Sequence, residues 1–589
     1  MQVRQQNRET LGRPQTQLLM TEHLGSREDT RREELVLLVH GNGSSPKELK
    51  DLRHLIEKTR PGAHVECPRL QTGLFSTADP DTIAVRLVER LDELWEKQAA
   101  SGHPPYSRIT LIGHSGGALL ARKVYVLACG ENDDAPLGAG ASREPREWAS
   151  RVDRVILVAG MNRGWSFSPH LSLRRALLSR LGAVLGGLRV APTHKRLLIF
   201  QIRRGAPFIT QLRIQWLSLR RHALSKGGVG RALTIQLLGS VDDMVSPEDN
   251  IDLLAGQDFI YLDVPASGHR DVVRVADTAQ GPGRSEVFRA ALSSPQEELE
   301  ARSLLPADML PAAPDETVSD VIFVVHGIRD EGFWTQHVAR KVVQRGKEAG
   351  RRFRTETSSY GYFPMLPFVL PWTRRAKVEW LMDRYTENLA LYPKAEFSFV
   401  GHSNGTYLLS RALKDYPSCR FKHVVFAGSV VHPNYDWMAV VEEGRVSRIL
   451  NFVASSDWVV ALFPKGFSRW GSKDLGGAGH DGFAQEGPVT NIRYVKGGHS
   501  AAVKEDYWDT IARFVVDGTQ GTELPRQTGS LAAYAWLLGV LSFLVWPLLV
   551  VLIILVSAYA LLQGVEQWWG QGLAFIGWAV LLWRLVTRL

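Results

Sequence analysis

Two uninterrupted apolar runs, each ending in His-Gly, mark two similar halves of the chain. The first run covers residues 34–41 and the second covers residues 320–327. Runs of this length and composition are typical of strands that are buried on both faces of a parallel sheet. A helical pattern follows each run, as in residues 332–346. The pattern therefore predicts two α/β domains in tandem.

A second apolar run in each half leads into a glycine-rich turn around a serine. Residues 108–117 end in Gly-His-Ser-Gly-Gly, and residues 396–405 end in Gly-His-Ser-Asn-Gly. The serine follows the His-Gly histidine by 75 residues in the first half (40 to 115) and by 77 in the second (326 to 403). Helix-forming residues come directly after each serine. Both halves therefore predict a serine on a sharp turn between a strand and a helix.

The length of 589 residues is more than one compact core accommodates, so several domains are expected. Residues 1–32 are polar and lack the apolar core of a secretory signal. Prolines interrupt the pattern between the halves, and a polar segment precedes the apolar C-terminus. The predicted organisation is a polar tail at 1–32, a first domain at 33–294, a linker at 295–319, a second domain at 320–518, a linker at 519–530 and a transmembrane region at 531–586.

The C-terminal region has the composition of a membrane anchor. Residues 531–562 contain no charged residue, and about 20 apolar residues suffice to span a bilayer. A shorter apolar stretch follows at 568–583. Arg526 precedes the first stretch and Arg584 follows the second, whereas the connection has neither Lys nor Arg, which indicates that both ends are cytosolic. We expect a helical hairpin in a bacterial inner membrane with both domains in the cytoplasm; a re-entrant second stretch and a buried soluble hairpin are the alternatives.

A serine hydroxyl becomes a nucleophile when a histidine takes its proton and a carboxylate fixes that histidine. Each half supplies an aspartate and then a histidine after the serine, and each stands just past an apolar run. In the first half these runs are 233–245 and 259–269, and in the second half they are 449–460 and 492–499. The order Ser, Asp, His therefore occurs twice.

On these residues both halves resemble the α/β-hydrolase superfamily, and the second half is similar to bacterial members with the same Gly-His-Ser-Asn-Gly turn. The resemblance implies two catalytic triads, Ser115, Asp242 and His269 in the first half and Ser403, Asp457 and His499 in the second. It also implies oxyanion donors at the amides that follow each nucleophile and in the loops after His-Gly. These are Gly116 and Asn42 in the first half, and Asn404 and Ile328 in the second.

Some assignments have competitors in the same half of the chain. Asp243 adjoins Asp242, which fits the turn after the preceding strand better. His480 competes with His499, but His480 lies in a glycine-rich loop that no strand precedes. The histidines inside the two serine turns, His114 and His402, are interpreted as packing residues.

Residues 161–231 form a long basic insertion at the position where α/β hydrolases carry a cap. Residues 154–241 contain no Asp or Glu, and the chain has a net charge of +9. Apolar residues at helical spacing accompany the charges, which favours contact with anionic lipid. A solvated cap face is the alternative, and nucleic-acid binding is disfavoured because few aromatic residues are present for stacking. In the second half, the aromatic residues of 360–372 fit a substrate rim and packing equally well.

These observations predict a membrane-anchored carboxylic-ester hydrolase that acts on a lipid or another acyl ester through an acyl-enzyme. A thioesterase or acyltransferase would use the same triad, because the triad does not fix the leaving group or the acceptor. A tail-anchored scaffold with an inactive hydrolase domain is the alternative from another class. The sequence shows neither a cluster of metal ligands nor a phosphate-binding glycine loop, so no metal or nucleotide cofactor is expected. The oligomeric state is left open.

Overall fold

Two six-stranded sheets of the same strand order form the framework of the protein. The first sheet runs β2-β1-β3-β4-β5-β6 and the second runs β8-β7-β9-β10-β11-β12, with parallel neighbours throughout. The strands are β1 (Glu34–Val39), β2 (His64–Glu66), β3 (Arg108–His114), β4 (Val152–Val158), β5 (Leu233–Gly239), β6 (Phe259–Val264), β7 (Asp320–Val325), β8 (Phe353–Glu356), β9 (Glu396–His402), β10 (Phe421–Ala427), β11 (Val446–Ala454) and β12 (Val489–Val495). The two predicted α/β domains are thus confirmed.

A computed structural model provides the coordinates. It describes residues 33–544 except 74–75, 131–143, 167–196, 243–246, 253, 255, 257, 277–280, 304–312, 329–332, 362, 364–367, 369–370, 470–471, 473, 486 and 522–526, and beyond 544 it describes residues 547, 548, 552, 555, 570, 576 and 577.

Helices cover the sheets and also connect them. They are α1 (Lys50–Thr59), α2 (Pro80–Ala100), α3 (Gly116–Ala128), α4 (Leu198–Gln201), α5 (Pro207–Lys226), α6 (Pro247–Asn250), α7 (Gly281–Ser293), α8 (Gln296–Arg302), α9 (Phe333–Glu348), α10 (Pro371–Leu391), α11 (Asn404–Asp415), α12 (Trp437–Glu442), α13 (Trp458–Arg469), α14 (Ala478–Asp481), α15 (Trp508–Asp517) and α16 (Ala533–Leu541). Helices α3 and α11 begin directly after Ser115 and Ser403.

Each sheet has an apolar core on both of its faces. In the first domain, one core contains Leu35 and Leu37 with α2 and α3, and the other contains Val36 and Leu38 with α1 and α7. The second domain repeats this arrangement around β7, with Val321 and Phe323 in one core and Ile322 and Val324 in the other. Because alternate side chains of a strand face opposite sides, both sets are buried, which explains the uninterrupted apolar runs.

The first domain extends further than the sequence predicted. Residues assigned to the linker at 295–319 include α8, which begins at Gln296. Leu299 of α8 is fully buried in the core beneath the first sheet. The acidic composition of this segment concealed the single apolar residue that anchors the helix.

The chain that follows the second domain packs against that domain. Gln527 bridges Val495 at the edge of the second sheet, and the Ala532 amide donates to the carbonyl of Ser455. Helix α16 then packs closely on α13. A Cβ added at Gly466 of α13 would lie 2.9 Å from the carbonyl oxygen of Ser542, the residue that follows α16. Most of the predicted transmembrane region lies outside the described residues. In the part of the chain that is described, no helix combines the length and apolar character needed to cross a membrane.

The two domains meet through helix α5 of the insertion and helix α10 of the second domain. Ile214 of α5 belongs to the second domain's core. Gly205, just before α5, has φ +74° and lies so close to α10 that an added Cβ would collide with the backbone of Glu379. The Tyr416 hydroxyl donates to the carbonyl of Gly205 at 2.8 Å. The insertion is therefore shared between the two domains.

Candidate active sites

Both serines stand in a backbone conformation that side-chain-bearing residues rarely adopt. Ser115 has φ 55° and ψ −122°, and Ser403 has φ 52° and ψ −117°. Such strain persists only where the surrounding structure enforces it, and it is characteristic of functional positions. Each serine joins the end of a strand to the start of a helix, as the sequence predicted.

The glycines around each serine are required by close backbone approaches. A side chain at Gly113 would collide with the backbone of Gly117, and one at Gly117 would collide with the end of β1. In the second domain, a Cβ at Gly405 would lie 2.5 Å from the Val325 carbonyl oxygen, and one at Gly401 would lie 2.7 Å from the Phe399 ring. The motif therefore brings strand, turn and helix together at the edge of each sheet.

The structure brings the three candidate residues of the first domain into one hydrogen-bonded chain. Ser115 Oγ lies 2.8 Å from His269 Nε2, and His269 Nδ1 lies 3.0 Å from Asp242 Oδ2. All three side chains are buried, and that of His269 is 3% exposed. The competing Asp243 lies outside the described residues. This chain has the connectivity needed to move a proton from the serine to the histidine.

In the second domain, the base and the acid are likewise paired. His499 Nδ1 lies 2.9 Å from Asp457 Oδ2, while Asp457 Oδ1 accepts from the Val460 amide at 3.0 Å and caps α13. A Cβ at Gly428 would come within 2.9 Å of the His499 ring, so the glycine makes room for the histidine. The His499 side chain is 18% exposed, and this ring is therefore more open to solvent than that of His269.

His480, the competitor of His499, lies elsewhere. Its Nδ1 hydrogen-bonds to Asp481 Oδ1 at 2.8 Å, and its Nε2 donates to the carbonyl of Ala535 in α16 at 3.2 Å. The ring is buried in these contacts. His480 therefore ties α16 to the second domain.

The histidines inside the serine turns hold the loops that carry the candidate bases. His114 Nε2 donates to the carbonyl of His269 at 2.9 Å, and His402 Nε2 donates to that of His499 at 3.3 Å. Burial lowers the pKa of His114 to about 4, so its ring is neutral at physiological pH. This placement agrees with their interpretation as packing residues.

Two backbone amides converge beside Ser115. A Cβ built on Gly116 would lie 3.5 Å from the Asn42 amide nitrogen, so the loop after β1 reaches the start of α3. The first N–H groups of a helix have no acceptor within the helix and are available to bind an anion. In the second domain Asn404 begins α11, and Ile328 packs on the edge of that domain's core.

A cleft opens beside Gly116 and Asn42. His40, Thr72 and Pro80 line it together with four apolar side chains, Leu120, Leu198, Ile202 and Phe208. Leu198 and Ile202 come from the start of the insertion's described part, and Phe208 from α5. The described part of the insertion therefore contributes apolar side chains to the wall of the first site.

Several of the described basic residues of the insertion face acidic partners inside the protein. Arg203 pairs with Glu379 at 2.7 Å, and Arg204 pairs with Asp249 at 2.5 Å. Arg213 is buried between Asp252 and Asp383, at 2.6 and 2.8 Å. These side chains are not a free lipid-binding face. Other basic residues of the insertion lie in the undescribed residues 167–196, namely Arg174, Arg175, Arg180, Arg189, Lys195 and Arg196.

Sequence reasoning missed the acidic half of this interface, although a signal was present. Glu379, Asp383 and Glu387 follow one another at four-residue spacing and so line one face of α10. Such a row of like charges destabilises a helix unless opposite charges meet it. Arg163 completes the set, because its guanidinium reaches Asp383 at 2.8 Å and Glu387 at 2.5 Å.

The aromatic segment at 360–372 is packed rather than open where it is described. Tyr360, Phe363 and Phe368 are buried in the core of the second domain. Among the residues that the structure describes, no group of three or more His, Cys, Asp or Glu side chains is placed to hold a metal ion.

The parallel sheets and the serines at the strand–helix turns have the arrangement of the α/β-hydrolase fold. Residues 29–133 match the family described as "Putative serine esterase (DUF676)". This stretch contains β1, His40, Asn42 and the whole of the first serine turn. The family match thus agrees with the superfamily that the sequence motifs indicated. No curated protein sequence matches the chain.

Several solved structures are similar to this chain at low identity. The phospholipase PlaB from Legionella pneumophila, in complex with thio-NAD, is 15% identical with a TM-score of 0.31, over 46% of this chain and 60% of that one. A lipase-esterase related protein from Clostridium acetobutylicum is 13% identical with a TM-score of 0.25, over 44% and 95%. The RedJ thioesterase of the prodiginine pathway from Streptomyces coelicolor is 14% identical with a TM-score of 0.25, over 46% and 91%. The matched part thus spans about 60% of the PlaB chain.

Proposed function

We propose that the protein is a carboxylic-ester hydrolase that forms an acyl-enzyme at Ser115, with a second site of the same kind at Ser403. The observation that carries the proposal is the hydrogen-bonded chain from Ser115 through His269 to Asp242, with the serine at the N-terminus of α3. A buried chain of this composition and connectivity activates a hydroxyl for attack on a carbonyl carbon.

The acylation step uses each group of the first site once. Ser115 Oγ attacks the ester carbonyl carbon while His269 Nε2 takes the hydroxyl proton. Asp242 keeps the proton of Nδ1 in place and stabilises the imidazolium. The amides of Gly116 and Asn42 donate to the oxyanion. His269 then passes its proton to the alkoxy oxygen, the C–O bond breaks, and the alcohol leaves.

The deacylation step repeats this chemistry with water as the nucleophile. His269 takes a proton from the water, whose oxygen attacks the carbonyl carbon of the acyl-enzyme. When the tetrahedral intermediate collapses, His269 returns the proton to Ser115 Oγ and the carboxylic acid departs. The cleft beside Gly116 places Leu120, Ile202 and Phe208 where the acyl chain would lie, which favours an acyl ester with an apolar chain.

The membrane location is part of the proposal. Helix α16 lies against the second domain through His480 and through Arg469, whose guanidinium donates to the carbonyl of Val540 at 2.7 Å. Its outer face carries the exposed apolar side chains of Tyr534, Trp536 and Leu537 and leads into the uncharged run that ends at residue 562. These features support the proposal that the protein lies at a bacterial inner membrane, with both domains on the cytoplasmic side and lipid esters as the substrate class.

Labelling with a fluorophosphonate probe tests the proposal at each site separately. We expect the full-length protein to be labelled at two serines, because each domain holds its own histidine–aspartate pair, His269 with Asp242 and His499 with Asp457. Ser115→Ala should remove one label and Ser403→Ala the other, while the double variant should take up none. A full-length protein labelled at neither serine would refute the ester-hydrolase proposal, and labelling at Ser115 alone would confine it to the first domain.

Removal of residues 545–589 tests the anchor. This deletion keeps α16 and its contacts with the second domain, so the domains should stay folded. We expect the shortened protein to move from the membrane fraction to the soluble fraction and to keep both fluorophosphonate labels. If the shortened protein still sediments with membranes after a high-salt wash, the anchor lies in another part of the chain.

A further inference from the structure

Tyr360 lies next to the nucleophile of the second domain. Its hydroxyl donates to the carbonyl of His326 at 3.0 Å and accepts from the Asn404 side-chain amide at 3.2 Å. Asn404 directly follows Ser403, and a Cβ added to Gly327, the residue after His326, would lie 2.7 Å from the Ser403 Cβ. The ring therefore occupies space beside the proposed oxyanion donors.

Aromatic neighbours hold the Tyr360 ring in one position. It stacks on the His326 imidazole with ring centroids 4.4 Å apart, and it meets Phe363 and Trp380 edge to face at 6.2 and 5.6 Å. The side chain is buried, and Lys377 Nζ donates to its carbonyl at 2.8 Å. These packing and hydrogen-bond contacts favour a single position of the ring.

Among the described residues, the corresponding loop of the first domain carries a smaller side chain, Thr72, beside the His-Gly segment. Glu66, the last residue of β2, pairs with Leu37, three positions before His40. Glu356, the last residue of β8, pairs with Phe323, three positions before His326. The loops after β2 and β8 therefore start at equivalent positions. Both loops then bond the His-Gly histidine, through the Leu70 amide in the first domain and the Ser359 hydroxyl in the second.

In the first domain the hydroxyl that reaches the His-Gly segment belongs to Thr72. It donates to the carbonyl of Gly41 at 3.2 Å, and Thr72 lines the cleft beside Asn42 and Gly116. The helix that follows the nucleophile is similar in both domains, because a buried leucine stands five residues after each serine, Leu120 in the first domain and Leu408 in the second. Thr72 and Tyr360 thus make comparable hydrogen bonds with side chains of very different size.

We propose that Tyr360 limits the second site to short acyl groups, whereas the cleft beside Thr72 lets the first site accept longer acyl chains. The proposal rests on the proposed function, since it requires both serines to be acylated. It assigns the two domains different parts of one substrate class. A chain carrying both sites can then cleave esters of long and of short acids.

The test measures chain-length preference at one serine at a time. The Ser115→Ala protein reports the second site, and the Ser403→Ala protein reports the first, each with p-nitrophenyl butyrate and p-nitrophenyl octanoate. In the Ser115→Ala background we expect kcat/KM to be lower for octanoate than for butyrate. Tyr360→Thr should raise the octanoate-to-butyrate ratio by about tenfold or more, because even one methylene in an apolar pocket changes kcat/KM by about that factor.

Tyr360→Phe is the matched control, because it keeps the ring and removes only the hydroxyl. We expect its octanoate-to-butyrate ratio to equal that of the Ser115→Ala parent. The reciprocal variant, Thr72→Tyr in the Ser403→Ala background, should lower the ratio at the first site by about tenfold. This variant decides the question if Tyr360→Thr does not fold.

The outcomes separate this inference from the function on which it rests. If Ser403 takes the fluorophosphonate label but neither Tyr360→Thr nor Thr72→Tyr changes the ratio, the size restriction is wrong and the hydrolase function stands. If Tyr360→Phe shifts the ratio as much as Tyr360→Thr, the hydroxyl rather than the ring volume sets the preference and the inference is overturned. If Ser403 is neither labelled nor active on either ester, both proposals fail for the second domain.

Discussion

Replacing His269 with alanine is expected to reduce kcat for ester hydrolysis at Ser115 by about 10⁶-fold, the size of the loss when a hydrolase triad loses its base. The reason is that His269 Nε2 lies 2.8 Å from Ser115 Oγ and is the group that takes the hydroxyl proton in the proposed mechanism. The measurement is single-site kinetics on a p-nitrophenyl ester in the Ser403→Ala background, so that the second site does not contribute.

Two further variants make this prediction specific. Asp242→Asn should lower kcat by about 10⁴-fold, because the amide holds the wrong tautomer of His269 while preserving its position. His54→Ala, which removes an exposed histidine of α1, should leave kcat unchanged. A loss smaller than about tenfold in His269→Ala, against losses of about 10⁴-fold to 10⁶-fold for triad deletions, would mean that another group takes the Ser115 proton.

The sequence located the two candidate sites because each site residue directly follows a buried strand. Ser115 comes after β3, Asp242 after β5 and His269 after β6, and the carboxyl ends of parallel strands meet at one edge of the sheet. An apolar run is a local signal, and its end can be found without knowledge of the fold. The same reasoning explains why the two α/β domains could be predicted.

Contacts between distant segments could not be derived in this way. The insertion was interpreted as a lipid-binding face because its own residues include no acid, yet Arg203 pairs with Glu379, which lies 176 positions later. Likewise, an aromatic residue such as Tyr360 gives the same local pattern whether it lines a pocket or fills one. Its role follows only from the carbonyl and amide that its hydroxyl meets.

The most buried of these long-range contacts centres on Arg213. Arg213 is 1% exposed, as is Asp252, to which it donates two hydrogen bonds at 2.6 and 2.9 Å. Burial alone would raise the pKa of Asp252, but the Arg213 guanidinium holds it below its ordinary value, so this carboxylate stays charged. A third bond reaches Asp383 of the second domain at 2.8 Å. One cation therefore neutralises carboxylates of both domains.

Arg213→Met is therefore expected to destabilise the protein by about 3–5 kcal/mol, the cost of removing one partner from a buried ion pair. The methionine fills much of the space, so the loss arises mainly from Asp252 and Asp383, which are left charged without their partner. The measurement is the urea midpoint of unfolding, with Lys226→Met as the control because Lys226 is exposed on the same helix and should change stability by no more than about 0.5 kcal/mol. Equal midpoints for the two variants would show that the Arg213 cluster contributes no net stability and that apolar contacts such as Ile214 hold the domains together.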